Sequence, residues 1–246
     1  MIKVGLILAA GKNRRFNDYW YSKILPKSLF TVSDKPIIDY ILDDTLDFGL
    51  EKIYVIVNHK KNLIIDYIKN KDLPLDIEFI EQKKLDGIAN AILLTENYIN
   101  EPFLTFLGDC FNVIKSYSAL FKLYQKFKPI AIQGVVKSDR IGLMQSNEVF
   151  IKGNKITNIV EKPKNPKSNY MGTGIYLFRK EIYDFIKLTD KSDITGFREI
   201  SDTINLLAKN KQAFSWNING TSFNINNINL LENARKYART QFKNFK

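Results

Sequence analysis

Three short polar stretches carry the residue types that chemistry on phosphates requires. The first is Leu8-Ala9-Ala10-Gly11-Lys12-Asn13-Arg14-Arg15, directly after an apolar run. Backbone N–H groups of a tight loop can cradle phosphate oxygens, and the cations add positive charge. The second is Pro26-Lys27, at the far end of the same polar loop. The third is Gly108-Asp109, where another apolar run ends on a carboxylate suited to a hard cation such as Mg²⁺. A carboxylate and several cations at one sheet edge suit phosphoryl or nucleotidyl transfer, in which two anions meet and their repulsion must be offset. Taken singly, each stretch also fits an ordinary loop. The glycine spacing matches neither the G-x-G-x-x-G fingerprint nor the P-loop, and an Asp after Gly is a common turn residue.

These stretches need a scaffold, and the apolar pattern supplies one. Lys3–Ala9 is a continuous apolar strand, buried on both faces as in a parallel sheet. Its core Val4–Ala10 could pass for a signal-peptide h-region, but only Lys3 precedes it and no small-residue cleavage site follows, so a buried strand is the better reading. The spacing then predicts helices over Pro36–Leu46, Asn62–Asn70, Ile88–Tyr98 and Lys115–Phe127. Between them lie strands Ile53–Val57, Asp76–Ile80, Phe103–Leu107 and Ile130–Val136. Strand and helix alternate, which argues an α/β sandwich with a mostly parallel sheet. In such sheets ligands bind beyond the carboxyl ends of the strands, where the polar stretches fall.

From Arg140 the rhythm changes. Short strands at Val149–Ile151, Lys155–Val160 and Thr173–Phe178 follow closely, with a Gly153-Asn154 turn. Helices near Glu181–Leu188 and Phe197–Lys209, a strand near Phe214–Ile218 and a C-terminal helix Asn229–Phe242 complete the pattern. No linker or repeat interrupts it, so one domain over 1–246 is expected, with a switch in architecture near 138–142.

Length and composition bound the function classes. A chain of 246 residues with 45% hydrophobic and 26% charged residues can bury a full core and is neither disordered nor fibrous. No apolar run approaches the roughly 18 residues of a membrane span. Cys110 is the single cysteine, which excludes an internal disulfide and fits a reducing cytoplasm. The net charge of +11 favours anionic partners. Thirty of the 37 basic residues are scattered lysines without an aromatic-interleaved tract, which argues against nucleic acid.

The order and spacing of these features together resemble the sugar-1-phosphate nucleotidylyltransferases, nearest to the glucose-1-phosphate thymidylyl- and uridylyltransferases. That family opens L-A-G/A-G-x-G-T-R, and Leu8 through Arg15 follows it. Its P-K-P/S-L is Pro26-Lys27-Ser28-Leu29, and its K-P-I-I-x-Y helix start is Lys35-Pro36-Ile37-Ile38-Asp39-Tyr40. Its base-binding Q-x-x-P-x-G-x-A-x-A runs from Gln82 to Ala91, and its G-D strand end is Gly108-Asp109. Its E-K-P is Glu161-Lys162-Pro163, and its S-N-x-x-x-x-G-x-Y runs from Ser168-Asn169 to Gly174-Ile175-Tyr176.

The resemblance implies a Rossmann-like three-layer sandwich of the nucleotidyltransferase fold. Residues 1–138 would be its nucleotide-binding half, and 139–246 its sugar-binding half and C-terminal helices. It implies a reaction in which a sugar 1-phosphate oxygen attacks the α-phosphorus of a pyrimidine NTP, dTTP or UTP, giving an NDP-sugar and pyrophosphate. At matching positions, Leu8, Ala9, Ala10 and Gly11 would contact the nucleotide, and Gln82 and Gly87 would read the base. Arg15 would stabilise the leaving pyrophosphate, Lys27 would sit at the α-phosphate and Asp109 would hold Mg²⁺. Glu161 would bond sugar hydroxyls and Lys162 would neutralise the sugar phosphate, with Gly142, Asn169 and Gly174 lining the pocket. No nucleic acid or membrane partner is implied, a homo-oligomer is left open, and no β-helix segment suggests a second, acyl-transfer activity.

Four positions depart from the pattern. Asn13-Arg14 replaces Gly-Thr; Asn224 replaces a second metal-binding Asp; Cys110 stands where thymidylyl enzymes often have Asn; and Arg140-Ile141-Gly142 stands where a Tyr-Gly pair often meets sugar. An amide oxygen can ligate Mg²⁺ but brings no charge. Two alternatives therefore remain: a CTP-dependent cytidylyltransferase acting on a sugar phosphate or other phosphorylated small molecule, and a non-catalytic nucleotide or sugar-nucleotide binding protein. Tyr19-Trp20-Tyr21 either lids the site or packs the long loop, and the basic C-terminal helix is expected to present a solvated face.

Overall fold

The computed structural model describes residues 2–12, 16, 19–193 and 195–242. Its first strand, β1 (Val4–Leu8), lies inside the sheet, between β4 (Lys52–Val57) and β6 (Phe103–Leu107), parallel to both. β5 (Asp76–Glu81) continues the parallel set beyond β4. On the other side come β11 (Tyr170–Phe178), β8 (Ala131–Lys137), β12 (Ala213–Asn217), β10 (Lys155–Glu161) and β9 (Asn147–Lys152). Only β11 and β10 run against the common direction among the described residues of this nine-stranded sheet. The late strand β11 sits between β6 and β8, so the two halves of the sequence share one sheet.

Alternation along the strands divides the core into two faces. Ile53, Val55 and Val57 of β4 pack into one cluster, and Tyr54 and Ile56 into the other. This is the period of two expected of a pleated strand buried on both sides. The first cluster is covered by α2 (Ile37–Asp47), α3 (Lys61–Lys69), α5 (Ser118–Phe127) and α9 (Ile228–Phe242). The second is covered by α4 (Ile88–Leu93), α7 (Ile182–Leu188) and α8 (Ile200–Lys209). The result is the three-layer α/β sandwich that the sequence implies.

Several elements differ from the periodicity. The helix expected to reach Tyr98 ends at Leu93, where Thr95 Oγ1 bonds back to Ile92 O and turns follow. The helix expected from Phe197 begins at Ile200, because Glu199 is extended, at φ −93° and ψ 141°. Two short helices, α1 (Trp20–Ile24) and α6 (Arg140–Gln145), the two-residue pair β2 (Thr31–Val32) and β3 (Lys35–Pro36), and the paired strands β7 (Cys110–Val113) and β13 (Thr221–Asn224) carry no long periodic signal. Tyr19 and Tyr21 pack in edge contacts against Phe30, and so fasten the long loop to the domain instead of reaching a cavity. The C-terminal helix is more than a solvated face. It buries Leu231, Ala234 and Ala238, and Arg235 bonds Thr31 O at 2.9 Å.

One half-buried carboxyl predicts a pH effect on stability. Asp44 accepts the Tyr117 hydroxyl, yet burial pushes its pKa up to about 7, and Asp47 and Asp43 add to the rise. An Asp raised from about 4 stabilises the fold at low pH, and that contribution is lost as pH rises through 7. Asp44→Asn should match the wild type near pH 4. At pH 8 it should be more stable by about 2 kcal/mol, half the full linkage value because Asp44 keeps some solvent contact. Urea midpoints at the two pH values read this directly; equal shifts at both would remove Asp44 as the cause.

Candidate functional site

The carboxyl ends of β1 and β6 lie side by side, and the chain's key polar groups gather there. Gly108 N–H donates to Leu8 O at 2.9 Å, and a Cβ at position 108 would stand 2.8 Å from that oxygen, so only glycine lets the loops approach this closely. Beyond this edge lie two adjoining cavities, of about 400 Å³ and about 680 Å³. Lys12, Lys27, Asp109 and Glu199 border both. Lys27 Nζ forms an ion pair with Asp109 Oδ2 at this junction, the two side chains being 13% and 28% exposed. A cation and a carboxylate thus stand where the contents of the two cavities would meet.

The smaller cavity is floored by Leu8, Ala9, Ala10 and Gly11, and walled by Gln82 and Gly87. Gln82 follows β5, is buried, and turns its amide nitrogen to Gly87 O at 3.3 Å and Asp86 Oδ1 at 3.4 Å. Gly87 has φ +112°, open to glycine alone, and a Cβ there would overlap Arg198 O. The segment before α8 therefore closes onto this wall.

The larger cavity holds the other group. Glu161 ends β10 and accepts from Ser201 Oγ and, at 3.3 Å, from Asn147 Nδ2. Its surface opens to the cavity, but protein atoms crowd the carboxyl on most sides. That desolvation pushes its pKa up against the two hydrogen bonds. Lys162 is left-handed at φ +44°, a costly conformation for a side chain with a Cβ, and its N–H is held by Ser146 O at 2.8 Å. This turn sets Lys162 on the cavity wall. Gly174, at φ +74°, lies in an irregularity of β11, and a Cβ there would meet Cys110 Sγ at 2.6 Å. The Cys110 thiol is fully enclosed and its pKa is pushed up by burial, so it is no nucleophile.

Two expected residues are not brought to this cavity. Gly142 sits in α6, where its N–H caps onto Asp139 Oδ1 at 2.8 Å, and it borders a separate recess of about 190 Å³. The helix places Gln145 and Ser146 on the cavity in its stead. The backbone of Asn169 accepts from Ser138 N–H at 3.1 Å, and the residue lines neither large cavity. Arg15 and Asn13 lie outside the described residues. Sequence reasoning missed Asn147, Glu199 and Ser201; Glu199 and Ser201 were signalled only by a polar group at the start of the helical pattern near 200, and Asn147 by no pattern. His59 lines neither large cavity, and its pKa is lowered by burial and by Lys60 and Lys12.

Asn224 and Asp109 are tied together by β13 and β7. Asn224 pairs with Cys110, and Ile225 N–H donates to Asp109 O at 2.9 Å. Asn224 borders the larger cavity, and its Oδ1 is buried with no hydrogen-bond partner among the described residues. An orphaned amide oxygen beside a carboxylate is a donor set for a hard divalent cation. No group of three or more His, Cys, Asp or Glu suited to a metal occurs among the described residues.

Comparison with known proteins places these features in a family. The sequence profile described as "Nucleotidyl transferase" matches residues 4–221. The bifunctional protein GlmU of Methanocaldococcus jannaschii is 33% identical over 216 residues, 87% of this chain and 49% of that protein. The chain thus spans about half the length of this relative. The UTP–glucose-1-phosphate uridylyltransferase AglF of Haloferax volcanii is 32% identical over 210 residues, 83% of each protein. In fold, the chain is similar to a UDP-glucose pyrophosphorylase solved with UDP-glucose, with a TM-score of 0.86 at 24% identity, covering 98% of this chain and 100% of that one.

Proposed function

This chain belongs to the nucleotidyl transferase family, and from that premise we propose that it couples a pyrimidine NTP, UTP or dTTP, to a sugar 1-phosphate, releasing pyrophosphate. The observation that carries this reading is the junction of two cavities at Lys27 and Asp109. The smaller cavity takes the nucleotide, the larger takes the sugar phosphate, and the α-phosphorus lies between them. Lys27, and Arg15 by its place in the sequence motif, offset the charge of the phosphates. Lys162 holds the sugar phosphate for in-line attack, and Glu161 accepts from sugar hydroxyls. Catalysis is then positioning and charge stabilisation, with no covalent protein intermediate.

The base preference rests on Gln82. With its NH₂ turned to Gly87 and Asp86, its carbonyl oxygen is left to accept. Opposite N3, uracil and thymine present an N–H to such an acceptor, whereas cytosine N3 is itself an acceptor and its donor is the neighbouring 4-amino group. This favours UTP or dTTP over the cytidylyl alternative.

A divalent cation, Mg²⁺ by the hardness of its donors, would be held by Asp109 and Asn224, with phosphate oxygens and water completing its shell. When bound it would neutralise phosphate charge. Asn224→Asp adds a second carboxylate and should lower the Mg²⁺ concentration for half-maximal activity several-fold. An unchanged or raised requirement would separate Asn224 from the metal.

The deciding experiment is pyrophosphate release with Mg²⁺ across dTTP, UTP, CTP, ATP and GTP, each with a set of sugar 1-phosphates, and products identified by mass. Release with UTP or dTTP and one matching NDP-sugar is expected. Release only with CTP would move the assignment to cytidylyl transfer. Nucleotide binding without any release would favour the non-catalytic alternative that Asn224 motivates.

A further inference from the structure

The two carboxylate oxygens of Glu161 are held differently. Oε1 accepts from Ser201 Oγ and from Asn147 Nδ2, whereas Oε2 has no hydrogen-bond partner among the described residues. Glu161 is exposed and borders the larger cavity, so the oxygen without a protein partner is the one left for a sugar hydroxyl.

The strand ladder shows what holds the carboxylate in this sense. Asn147 opens β9 and stands opposite Glu161 in the antiparallel β9–β10 pair. β9 also meets β11 here, with Glu148 opposite Met171. Asn147 thus lies at a junction of three strands, 7% exposed, and its side chain links the other two. Its Oδ1 accepts Gly172 N–H of β11 at 2.9 Å, and its Nδ2 donates to Glu161 at 3.3 Å. A Cβ at position 172 would stand 2.6 Å from that Oδ1, so the glycine makes this anchor possible.

A backbone N–H can only donate. It therefore fixes which end of the Asn147 amide is the oxygen, and so turns the NH₂ group to Glu161. Two donors on Oε1 favour the ionised carboxylate and oppose the effect of burial. The preceding residue acts on the same turn, since Ser146 O accepts Lys162 N–H at 2.8 Å. The start of β9 thus holds both members of the Glu161-Lys162 pair.

We propose that Asn147 is a positioning residue for sugar binding: anchored on Gly172 N–H, it holds Glu161 Oε1 so that Oε2 faces the sugar of the sugar 1-phosphate as an acceptor. The proposal deepens the functional reading above and rests on its assignment of Glu161 to the sugar.

The test compares wild type, Asn147→Ala, Asn147→Asp, Glu161→Gln and the double variant Asn147→Ala/Glu161→Gln, using the sugar 1-phosphate that supports turnover. Asn147→Ala should raise the KM for the sugar phosphate about tenfold and leave the KM for the NTP within about twofold. In the Glu161→Gln background, where the carboxylate is gone, the same change should add less than about twofold. A residue that served only the stability of the sheet would cost the same in both backgrounds.

Asn147→Asp keeps the shape and the bond from Gly172 N–H, but sets a second carboxylate against Glu161. Two such groups are compatible when they share one proton. The sugar-phosphate KM of this variant, divided by that of wild type, should be about ten at pH 8.5 and fall towards unity near pH 5.5. The other charged or titratable groups around Glu161 are Lys162 beside it, Glu199 ahead of α8 and Tyr176 on β11, with Lys164 and Asp202 further round the cavity. They and the substrate phosphate are common to both proteins, so the ratio isolates the introduced carboxylate.

If Asn147→Ala does not fold, the pH dependence of the Asn147→Asp ratio decides alone. A KM rise that persists undiminished in the Glu161→Gln background, or an Asn147→Asp ratio independent of pH, would overturn the proposal and leave Asn147 a residue of the sheet only. An unaltered sugar-phosphate KM in Glu161→Gln would remove Glu161 from the sugar, and the proposal with it. A wild-type chain inactive toward every sugar 1-phosphate would instead defeat the functional reading itself.

Discussion

Asp109→Asn should lower kcat by about a thousandfold while leaving the sugar-phosphate KM within a few-fold of wild type, because two charge arrangements fail together. Of the two donors that would hold the cation, Asp109 and Asn224, only Asp109 is charged, and an amide in its place would leave two neutral ligands. Asp109 is also a partner of Lys27 at the cavity junction, so its loss weakens the hold on that cation where it would meet the α-phosphate. Removal of one preorganised electrostatic group from a site of this kind costs on the order of 10²–10³ in kcat, and here two are disturbed. Steady-state kinetics with saturating Mg²⁺ would show the loss in kcat, and a thermal melt would separate it from misfolding. Asp109 is partly exposed and near the surface of the site, so the melting temperature should move little. A variant with unaltered kcat and only a raised NTP KM would make Asp109 a binding group and remove it from the reaction.

The sequence showed the first half of this arrangement more readily than the second, for physical reasons. β1, β4 and β6 are buried on both faces, so they appear as continuous apolar runs and end visibly at Ala9, Val57 and Leu107. The residues at those ends, from Ala9 to Gly11 and at Gly108-Asp109, could be placed at one sheet edge by the parallel topology alone. The second half is built differently. Glu161 is legible in the E-K-P motif, but its partners Asn147 and Ser201 come from a strand and a helix start that lie 14 residues before it and 40 residues after it. No local pattern links them. Gly142 shows the same limit. A glycine in roughly the right place was matched to the sugar contact, whereas α6 turns that stretch so that Gln145 and Ser146 reach the cavity. Six residues of helix with one buried position leave too short a periodic signal to detect. The strands β7 and β13 are missed for a related reason: each is four residues long, and among the described residues each pairs with the other alone.

Lys162→Ala should raise the KM for the sugar 1-phosphate about a hundredfold and leave the NTP KM within threefold, since a charge-assisted contact to a phosphate dianion contributes about 1.5–3 kcal/mol. The geometry explains why the effect should fall on one substrate. Lys162 borders the larger cavity and not the smaller one. No hydrogen bond or ion pair engages its ammonium among the described residues, unlike Lys27, which is paired to Asp109. The left-handed backbone at φ +44° supplies a control that separates charge from conformation. Lys162→Gly removes the same charge but suits that backbone, so it should share the KM defect of Lys162→Ala while being the more heat-stable of the two. Lys162→Arg keeps the charge on a longer, planar group and should recover part of the affinity. If Lys162→Gly restored the wild-type KM, the turn itself would be what matters, and the sugar phosphate would have to be held by another cation. If all three variants raised both KM values equally, Lys162 would be contributing a general positive field to the site, and the division of the two cavities between the two substrates would fall with it.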